Sequence, residues 1–357
     1  MSVLRTWRAR GALVFALCRY GTVAGEVKMA RYRSSRRGSL QFWPRKRASR
    51  IYPCVNWSHA GGRVRAEVKP MGFAAWKAGM THIHMIDTRP NSPTHNKLIF
   101  RPVTVLDSPP LFVLGYRFYK QALSGLAPAG EVWFDAIPKD LELNRKTVAA
   151  KKKSEPKPED IADVRLIVAT QPKKSGMNKK KPDVLEIGIC GTDVAKKLEY
   201  AKSALGKELA AVDALKAGEW LDATAVTKGH GYTGPVKRFG IRIQGRKDKQ
   251  MHRHAGSVGS TVPRKLDWRV PLAGQCGFFT RTEFNKRLLA IGEDASKINP
   301  MGGFIGYGVI PKTWLLLDGS VPGPVKRLVV LRKAVRPQRK ETPIDIKYIS
   351  LASKQGV

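Results

Sequence analysis

What this chain has little of narrows its function before any motif is read. Its four cysteines, Cys18, Cys54, Cys190 and Cys276, lie at least 36 residues apart. With no Cys-x-x-Cys pair, a zinc ribbon is excluded, a disulfide framework is disfavoured, and a reducing compartment is expected. No stretch approaches the roughly 20 consecutive apolar residues of a membrane-spanning helix. The basic residues are spread along the chain, not gathered beside one amphipathic segment, so no membrane partner is expected. Carboxylates are scarce where bases are dense, which leaves nothing in those stretches to hold the divalent cations of a metal-dependent nuclease. No Gly-x-Ser-x-Gly motif occurs, and no Ser or Cys has an evident His and carboxylate companion. The expectation is therefore no catalytic residue, no cofactor, no bound metal and no small-molecule substrate.

What is present is positive charge. Lys and Arg number 65 against 28 Asp and Glu, a formal net charge of +37. Such an imbalance repels itself in a compact monomer and favours a nucleic-acid partner. At 357 residues and 42% hydrophobic content, the chain still has material for one or two cores. The charge is densest from Lys228 to Val270, which carries eleven Lys and Arg against two Asp and is studded with glycine. Its apolar residues, Phe239 and Ile241 among them, are too scattered to enclose a core. Alone in water such a segment is expected to be disordered; against a polyanion it makes sense. Glycine lets backbone approach phosphates, and Lys228, Lys237, Arg238, Arg242, Arg246, Lys247, Lys249, Arg253, Arg264, Lys265 and Arg269 neutralise them. His252, His254 and Trp268 can stack on or bond to bases. Folded as a hairpin, each side of the arm could reach ~70 Å at strand rise.

The rest of the chain falls into segments. In residues 1–28, Arg5, Arg8 and Arg10 precede the apolar run Ala12–Cys18 and imitate a signal peptide, but seven residues are a minimal core for one. Met29 opens MARYRSSRRG, a natural start, so 1–28 is expected to be an extra lead outside the fold. Residues 29–70 read as a basic extension: Arg31, Arg33, Arg36, Arg37, Arg45, Lys46 and Arg47 are interleaved with Tyr32, Phe42, Trp43 and Tyr52, a composition suited to embedding in RNA. Residues 71–118 alternate β-branched and aromatic with polar residues, predicting several short antiparallel strands. Residues 119–218 mix strand candidates (VRLIVAT, VLEIGI) with helical periodicity over Asp193–Ala217, Asp193 as N-cap and Gly218 as stop, and read as an inserted α/β subdomain. Lys139–Lys157 is expected to be helical or exposed. From 219 to 357 strands return around the 228–270 arm. RTEFNKRLLAIG is expected to be a short amphipathic helix aiming Arg281, Lys286 and Arg287 at phosphates; GGFIGYGVI is expected to be strand-like. Lys326 and Arg327 join the phosphate-contacting set. The fold class is mixed α+β, mainly β: a β-barrel split in sequence, with an α/β insertion on one connection and the basic arm on another.

Two motifs imitate other chemistry. Gly229–Gly234 satisfies Gly-x-Gly-x-x-Gly, but dinucleotide binding requires a helix to begin there and an acid about 20 residues on. Pro235 follows at once, and the only nearby acid, Asp248, sits among bases. His82 and His84, spaced i, i+2, share a strand face but have no further ligand nearby, so a structural role is expected.

Six stretches in this order, GFAAWKAGMTH, KKKPDV, AVTKGHGYTGPVKRFG, RTEFNKRLLAIG, GGFIGYG and GSVPGPVKRLV, together resemble the universal large-subunit ribosomal protein L-three family in its archaeal and eukaryotic form. The resemblance covers Met29 to the C-terminus. It implies a barrel of the translation-factor type, extensions buried in large-subunit ribosomal RNA, neighbouring large-subunit proteins as partners, a cytoplasmic ribosomal location, and a role in assembly. It further implies that the 228–270 arm approaches the peptidyl transferase centre. One departure stands out: in GSVGSTVP, Thr261 occupies the place where the family commonly has a tip Trp, and Trp268 lies seven residues later. Trp268 is expected to stack on RNA or on the base of the arm. The competing readings are an RNA-modifying or RNA-processing enzyme with a dispersed site, and a chromatin-type DNA binder.

Overall fold

In the computed structural model the order of elements is β1 (Gly72–Ile86), β2 (Leu98–Asp107), β3 (Leu111–Ala122), β4 (Gly125–Trp133), β5 (Asp163–Ala169), β6 (Val184–Gly188), α1 (Val194–Ala204), β7 (Glu208–Leu209), α2 (Ala211–Ala214), β8 (Trp220–Val226), β9 (Gly229–Thr233), α3 (Pro235–Phe239), β10 (Gly274–Gly277), β11 (Thr280–Gly292), β12 (Trp314–Asp318), β13 (Leu328–Lys333) and β14 (Asp345–Ile349). The structure describes residues 39, 42–57, 67–138, 141–143, 160–249, 251–260, 262, 264–337, 343–353 and 355. The lead at 1–28, most of the charged stretch 139–157, and Arg31, Arg33, Arg36 and Arg37 lie outside them. The protein is mixed α+β and mainly β.

The strands pair antiparallel in two principal sheets. In the first the order is β13-β8-β11-β12-β2-β1, and β1 then pairs with β13, so the pairing closes on itself; β14 adds to the far end of β1. Closure is possible because β1 is long. Its Gly72–Trp76 half pairs with β13, while Trp76–Ile86 pairs with β2. Burial along β1 follows. Phe73 to Ala78 are all buried, and the pattern then alternates, with Thr81, Ile83 and Met85 inside and Met80, His82, His84 and Ile86 on the other face, as a period of two requires. The second sheet runs β4-β3-β5-β6, with β7 on β3. Leu111, Tyr116, Phe118, Leu166 and Ile187 from this sheet join the same hydrophobic cluster as Phe73, Trp76, Leu106 and Leu315 from the first.

Three local expectations need correction. Thr280–Gly292 is a strand, not a helix. Its register with β8 on one side and β12 on the other overrides the helix propensity of Glu, Lys, Arg and Leu, because pairing on both flanks outweighs a weak local preference. A bulge between Glu283 and Lys286, with Asn285 at φ 57°, breaks the alternation that would have marked it. The helix of 193–217 stops at Ala204; the chain turns at Gly206 (φ 73°) and Leu209 pairs with Leu111 of β3. Asp193 stands at the N-cap position, but its carboxylate pairs with Lys196 at 2.9 Å and makes no cap hydrogen bond. GGFIGYGVI is a turn with a single Phe304–Gly308 bridge, and Gly302, Gly303, Gly306 and Gly308 all have positive φ. The strands β1 to β3 are also longer than expected.

Two buried polar pairs lock the architecture. Arg332 of β13 reaches Asp222 of β8 at 3.0 Å, both nearly inaccessible, and its other nitrogen donates to the Asn56 carbonyl. The Asn285 N–H donates to Asp222 as well. In the second pair, Asp107 at the end of β2 accepts from the Tyr307 hydroxyl at 2.5 Å and the Gly176 N–H at 3.1 Å. Burial pushes the Asp107 carboxyl above the ordinary range, partly opposed by those two donors. Burial and the facing carboxylate raise the Tyr307 hydroxyl.

Asp222→Ala strands the Arg332 guanidinium in the interior and should cost about 3–5 kcal/mol, read as a lower urea midpoint of the full chain; an unchanged midpoint would remove the pair from the structural account. Asp107 has the opposite signature. A carboxyl with a raised folded pKa contributes stability below its unfolded value of about 3.9, and that contribution is lost as pH rises through the folded value. Asp107→Asn should therefore gain on the wild type as pH rises from 4 to 7, and a pH-independent difference in midpoint would count against this assignment.

Candidate nucleic-acid interface

The arm leaves the first sheet between β8 and β11. Val226 pairs with Thr280, so the two ends of the arm start side by side. The Thr227 N–H donates to the Phe279 carbonyl, the Phe278 N–H to that of Lys228. Beyond this, β9 and β10 pair from Gly229–Gly277 to Thr233–Gly274. A side chain at Gly277 (φ 71°) would sit 1.9 Å from the Lys228 oxygen, so only glycine allows this close crossing. The hairpin is confined to the base: from Ile241 to Ala273 no residue of the described chain is in a strand, and the ~70 Å extended reach does not apply.

A short helix, α3, does begin at Pro235, with proline in the first turn, where its missing N–H costs nothing. The sequence reading that Pro235 forbids a helix is thus corrected. The dinucleotide site still lacks its frame, because β9 is followed by a single turn of helix and pairs antiparallel with β10, not as the parallel βαβ unit that such a site needs. Gly240 at φ 66° ends α3 in the left-handed conformation.

The arm's base has a small core that sequence reasoning missed. Phe239 is buried beneath residues of the N-terminal extension. The Arg45 guanidinium lies 4.1 Å from its ring centroid, and Trp43 is 6.2 Å away. Trp268, coming from the far side of the arm, meets Trp43 edge-on at 4.8 Å. It therefore packs on a ring of the N-terminal extension, not on the arm's own residues, while 61% exposed. The detectable signal was Trp43 and Phe239 themselves, but they lie nearly two hundred residues apart and nothing local links them.

The cations expected to contact phosphate divide by placement. Arg238 binds the Leu272 and Gln275 carbonyls at 2.8 and 3.0 Å, tying the arm's two sides together. Arg45 donates to the Arg238 carbonyl at 2.7 Å. Arg281 donates to the Phe42 and Thr280 carbonyls at 2.6 and 2.8 Å; burial and the like charge of Arg45 lower its guanidinium. Arg47 and Arg327 flank the Phe278 ring at 5.8 and 5.3 Å. Lys286 pairs with Glu283 at 2.7 Å, and Arg287 is buried with a nitrogen 3.2 Å from the Pro343 carbonyl. Arg287 lies on a strand flanked by β8 and β12, in place of the expected helix, and is buried there. Arg269 forks onto Asp267. The remaining arm cations, Lys228, Lys237, Arg242, Arg246, Lys247, Lys249, Arg253, Arg264 and Lys265, are exposed, as are His252, His254, Lys46 and Lys326. None of those nine arm cations forms an ion pair with a described residue. Thr261 lies outside the described residues. Elsewhere, the same-face spacing of His82 and His84 is realised in an aromatic row: Phe100 lies 4.7 and 5.8 Å from their rings and Tyr348 5.6 Å from His84. Among the described residues no group of three or more His, Cys, Asp or Glu could hold a metal ion.

Comparison with known proteins gives a consistent result. A family model described as Ribosomal protein L3 matches residues 28–356. The chain is 47% identical over 335 residues to the large ribosomal subunit protein uL3 of Methanopyrus kandleri, the match covering 90% of this chain and 91% of that protein. It is 44% identical to uL3 of Methanococcus aeolicus, over 90% and 97%, and 43% identical to uL3 of Methanothrix thermoacetophila, over 92% and 100%.

The aromatic base yields a prediction. Trp43→Ala removes a ring pair and a neighbour of Arg45, together worth about 1.4 kcal/mol, so amide exchange in β9 and β10 should quicken about tenfold. Exchange unchanged there, by mass spectrometry of the free protein, would mean that the N-terminal extension does not hold the arm.

Proposed function

The chain belongs to the ribosomal protein L3 family, and from that premise we propose that it is an RNA-binding structural element of the large ribosomal subunit. The family is one of structural ribosomal proteins of the cytoplasmic ribosome, not of enzymes. The observation that carries the RNA reading is the arm: nine exposed cations without an acidic partner among the described residues, starting from a base held by β9–β10 pairing, Arg238 and the Phe239 cluster. Fixed orientation at the root and free charge beyond it suit a segment that orders on a polyanion and releases counterions as it does so.

On this reading residues 71–118 and 219–357 form the split barrel, of the translation-factor type, which the closed cycle of six strands supports. The α/β insertion occupies 119–218. Because β3 pairs wholly within the second sheet, its entry is better drawn at Leu111. The barrel and insertion rest on the surface of large-subunit ribosomal RNA. The 29–70 extension and the 228–270 arm enter that RNA, the arm toward the peptidyl transferase centre, and early binding supports assembly. Neighbouring large-subunit proteins complete the surroundings.

Arg238, Arg45 and Arg281 have their guanidinium donors turned to backbone carbonyls, so their role here is to aim the arm. Contact with phosphate falls to Lys228, Lys237, Arg242, Arg246, Lys247, Lys249, Arg253, Arg264 and Lys265, with Lys46, Arg47 and Lys326 beside the root; His252, His254 and Trp268 supply ring contacts.

Sedimentation of a cell extract through a high-salt gradient should place the protein stoichiometrically with the large subunit; a light peak separate from subunits at low salt would overturn the reading. In binding to large-subunit RNA, about eight phosphate contacts give a slope of log affinity on log salt near −6 to −7. Replacing Arg246, Lys247 and Lys249 with Gln should flatten that slope by about 2 to 3, whereas an unchanged slope would place the contacts elsewhere.

A further inference from the structure

Away from the arm, residues 50–57 of the N-terminal extension and the second sheet share a cavity of about 510 Å³, a volume within the range of small-ligand sites. Trp57, Trp133 and Ile167 are buried in its lining, while Arg50 is exposed and Tyr52 partly covered. Among the described lining residues, two guanidiniums, Arg50 and Arg117, face one carboxylate, Glu186.

The walls are fixed by specific contacts. A side chain at Gly72 would come within 2.9 Å of the Trp57 ring, so glycine there lets the indole seat against β1. The next residue back is tied as well, since the Asn56 carbonyl accepts from Arg332 at 2.8 Å. On the opposite wall the Trp133 indole N–H donates to Glu131 at 2.9 Å. Arg117 pairs with both Glu131 and Glu186, and the second Glu186 oxygen accepts from the Tyr119 hydroxyl at 2.6 Å. Two donor groups are left over. The Arg117 Nε is buried without a hydrogen-bond partner among the described residues. Arg50 donates to the Tyr52 hydroxyl at 3.2 Å, lies 5.7 Å from that ring, and forms no ion pair with a described residue.

We propose that this cavity receives one splayed-out nucleotide of the large-subunit RNA, its base against the aromatic lining and its phosphate on Arg50; this rests on the ribosomal reading above. Charge selects the occupant first. Glu186 is matched by Arg117, which leaves the Arg50 charge over, and residues 29–66 hold ten Lys and Arg and no acid to cancel it. A phosphate supplies that missing charge. Shape and polarity select the base. Unpaired RNA bases are taken up by stacking on aromatic rings and guanidinium planes and by hydrogen bonds to their edges. A base edge carries the acceptor that the buried Arg117 Nε–H lacks, a group costly to leave unpaired. An apolar side chain of a neighbouring protein would fill the volume and leave both donors unmatched. The site also continues the surface already assigned to RNA, because Arg50 follows Lys46 and Arg47 in the same extension.

The test places a photo-reactive phenylalanine analogue at Tyr52 in one strain and at Lys247 in another, and irradiates purified, salt-washed large subunits. Both probes should give RNA adducts, and reverse transcription should map the Tyr52 adduct to a single nucleotide. If the protein is in the particle and the Lys247 probe reacts with RNA, a Tyr52 adduct with another protein, with a free nucleotide or within the chain, or no adduct, overturns the nucleotide site alone. Absence of the protein from large subunits overturns it together with the ribosomal reading. A second measurement separates RNA that enters the cavity from RNA that passes beside it. In wild-type subunits the mapped base should resist base-specific alkylation, and in Tyr52→Ala subunits it should react about tenfold faster, as loss of one stacking ring requires. Arg50→Gln should raise the rate in the same direction. Equal reactivity of that base in wild-type and Tyr52→Ala subunits overturns the site.

Discussion

The pairing of Val226 with Thr280 is the contact on which the functional half of the molecule hangs. It joins β8 to β11 inside a closed cycle of six strands, so neither strand can shift register without disturbing four others. A residue's slip would turn buried Leu221, Ala223 and Ala225 to the opposite face. The arm inherits that fixity. Its two ends emerge at a set spacing, the Gly277 crossing passes them close together, and Arg238 bridges them once more. The direction in which the cationic loop leaves the fold is thus set at its root, by strands of the closed sheet.

Charge is distributed with the same logic. Cations within the fold are tied to specific acceptors. Arg332 meets Asp222, Arg165 meets Asp163, and Lys77 places its amino group on the Val321 and Gly323 carbonyls, where burial lowers its pKa. At the arm's root the acceptors are backbone oxygens instead of carboxylates. A guanidinium bonded to a carbonyl is not neutralised by it, so Arg238 and Arg281 brace the root and still contribute to the field that draws a polyanion toward it. Nine exposed cations of the arm, from Lys228 to Lys265, form no ion pair with a described residue.

The sequence made the chemical identity of the arm legible because charge and glycine density are local properties that need no knowledge of the fold. Strand-like runs such as Val164–Thr170 and Glu219–Thr227 were legible for the same reason. What escaped was set by distance in the chain. Leu288 and Leu289 read as one side of a helix until β8 and β12 flank them. Leu209 leaves its helical pattern because Leu111, far earlier in the chain, offers a strand edge. GGFIGYGVI has apolar residues at strand-like spacing, yet four glycines at positive φ make it a turn whose Phe304 and Tyr307 go inward and whose Ile305 stays outside. Phe239, dismissed as one of too few apolar residues, is buried only because Trp43 and Arg45 arrive from the other end of the chain. Arg238, Arg281 and Arg287 looked like any other arginine, and only the fold separates a brace or a buried guanidinium from a free one.

The same separation decides where charge is left over. A protein with this much charge must expose cations over most of its exterior, since few can be buried unpaired. What distinguishes the arm is that its exposed cations start from a fixed root. The strands β8 and β11 belong to one continuous pairing cycle, and the Gly277 crossing and Arg238 hold the two sides of the arm together where they leave it. A disordered basic chain of equal charge has no such root.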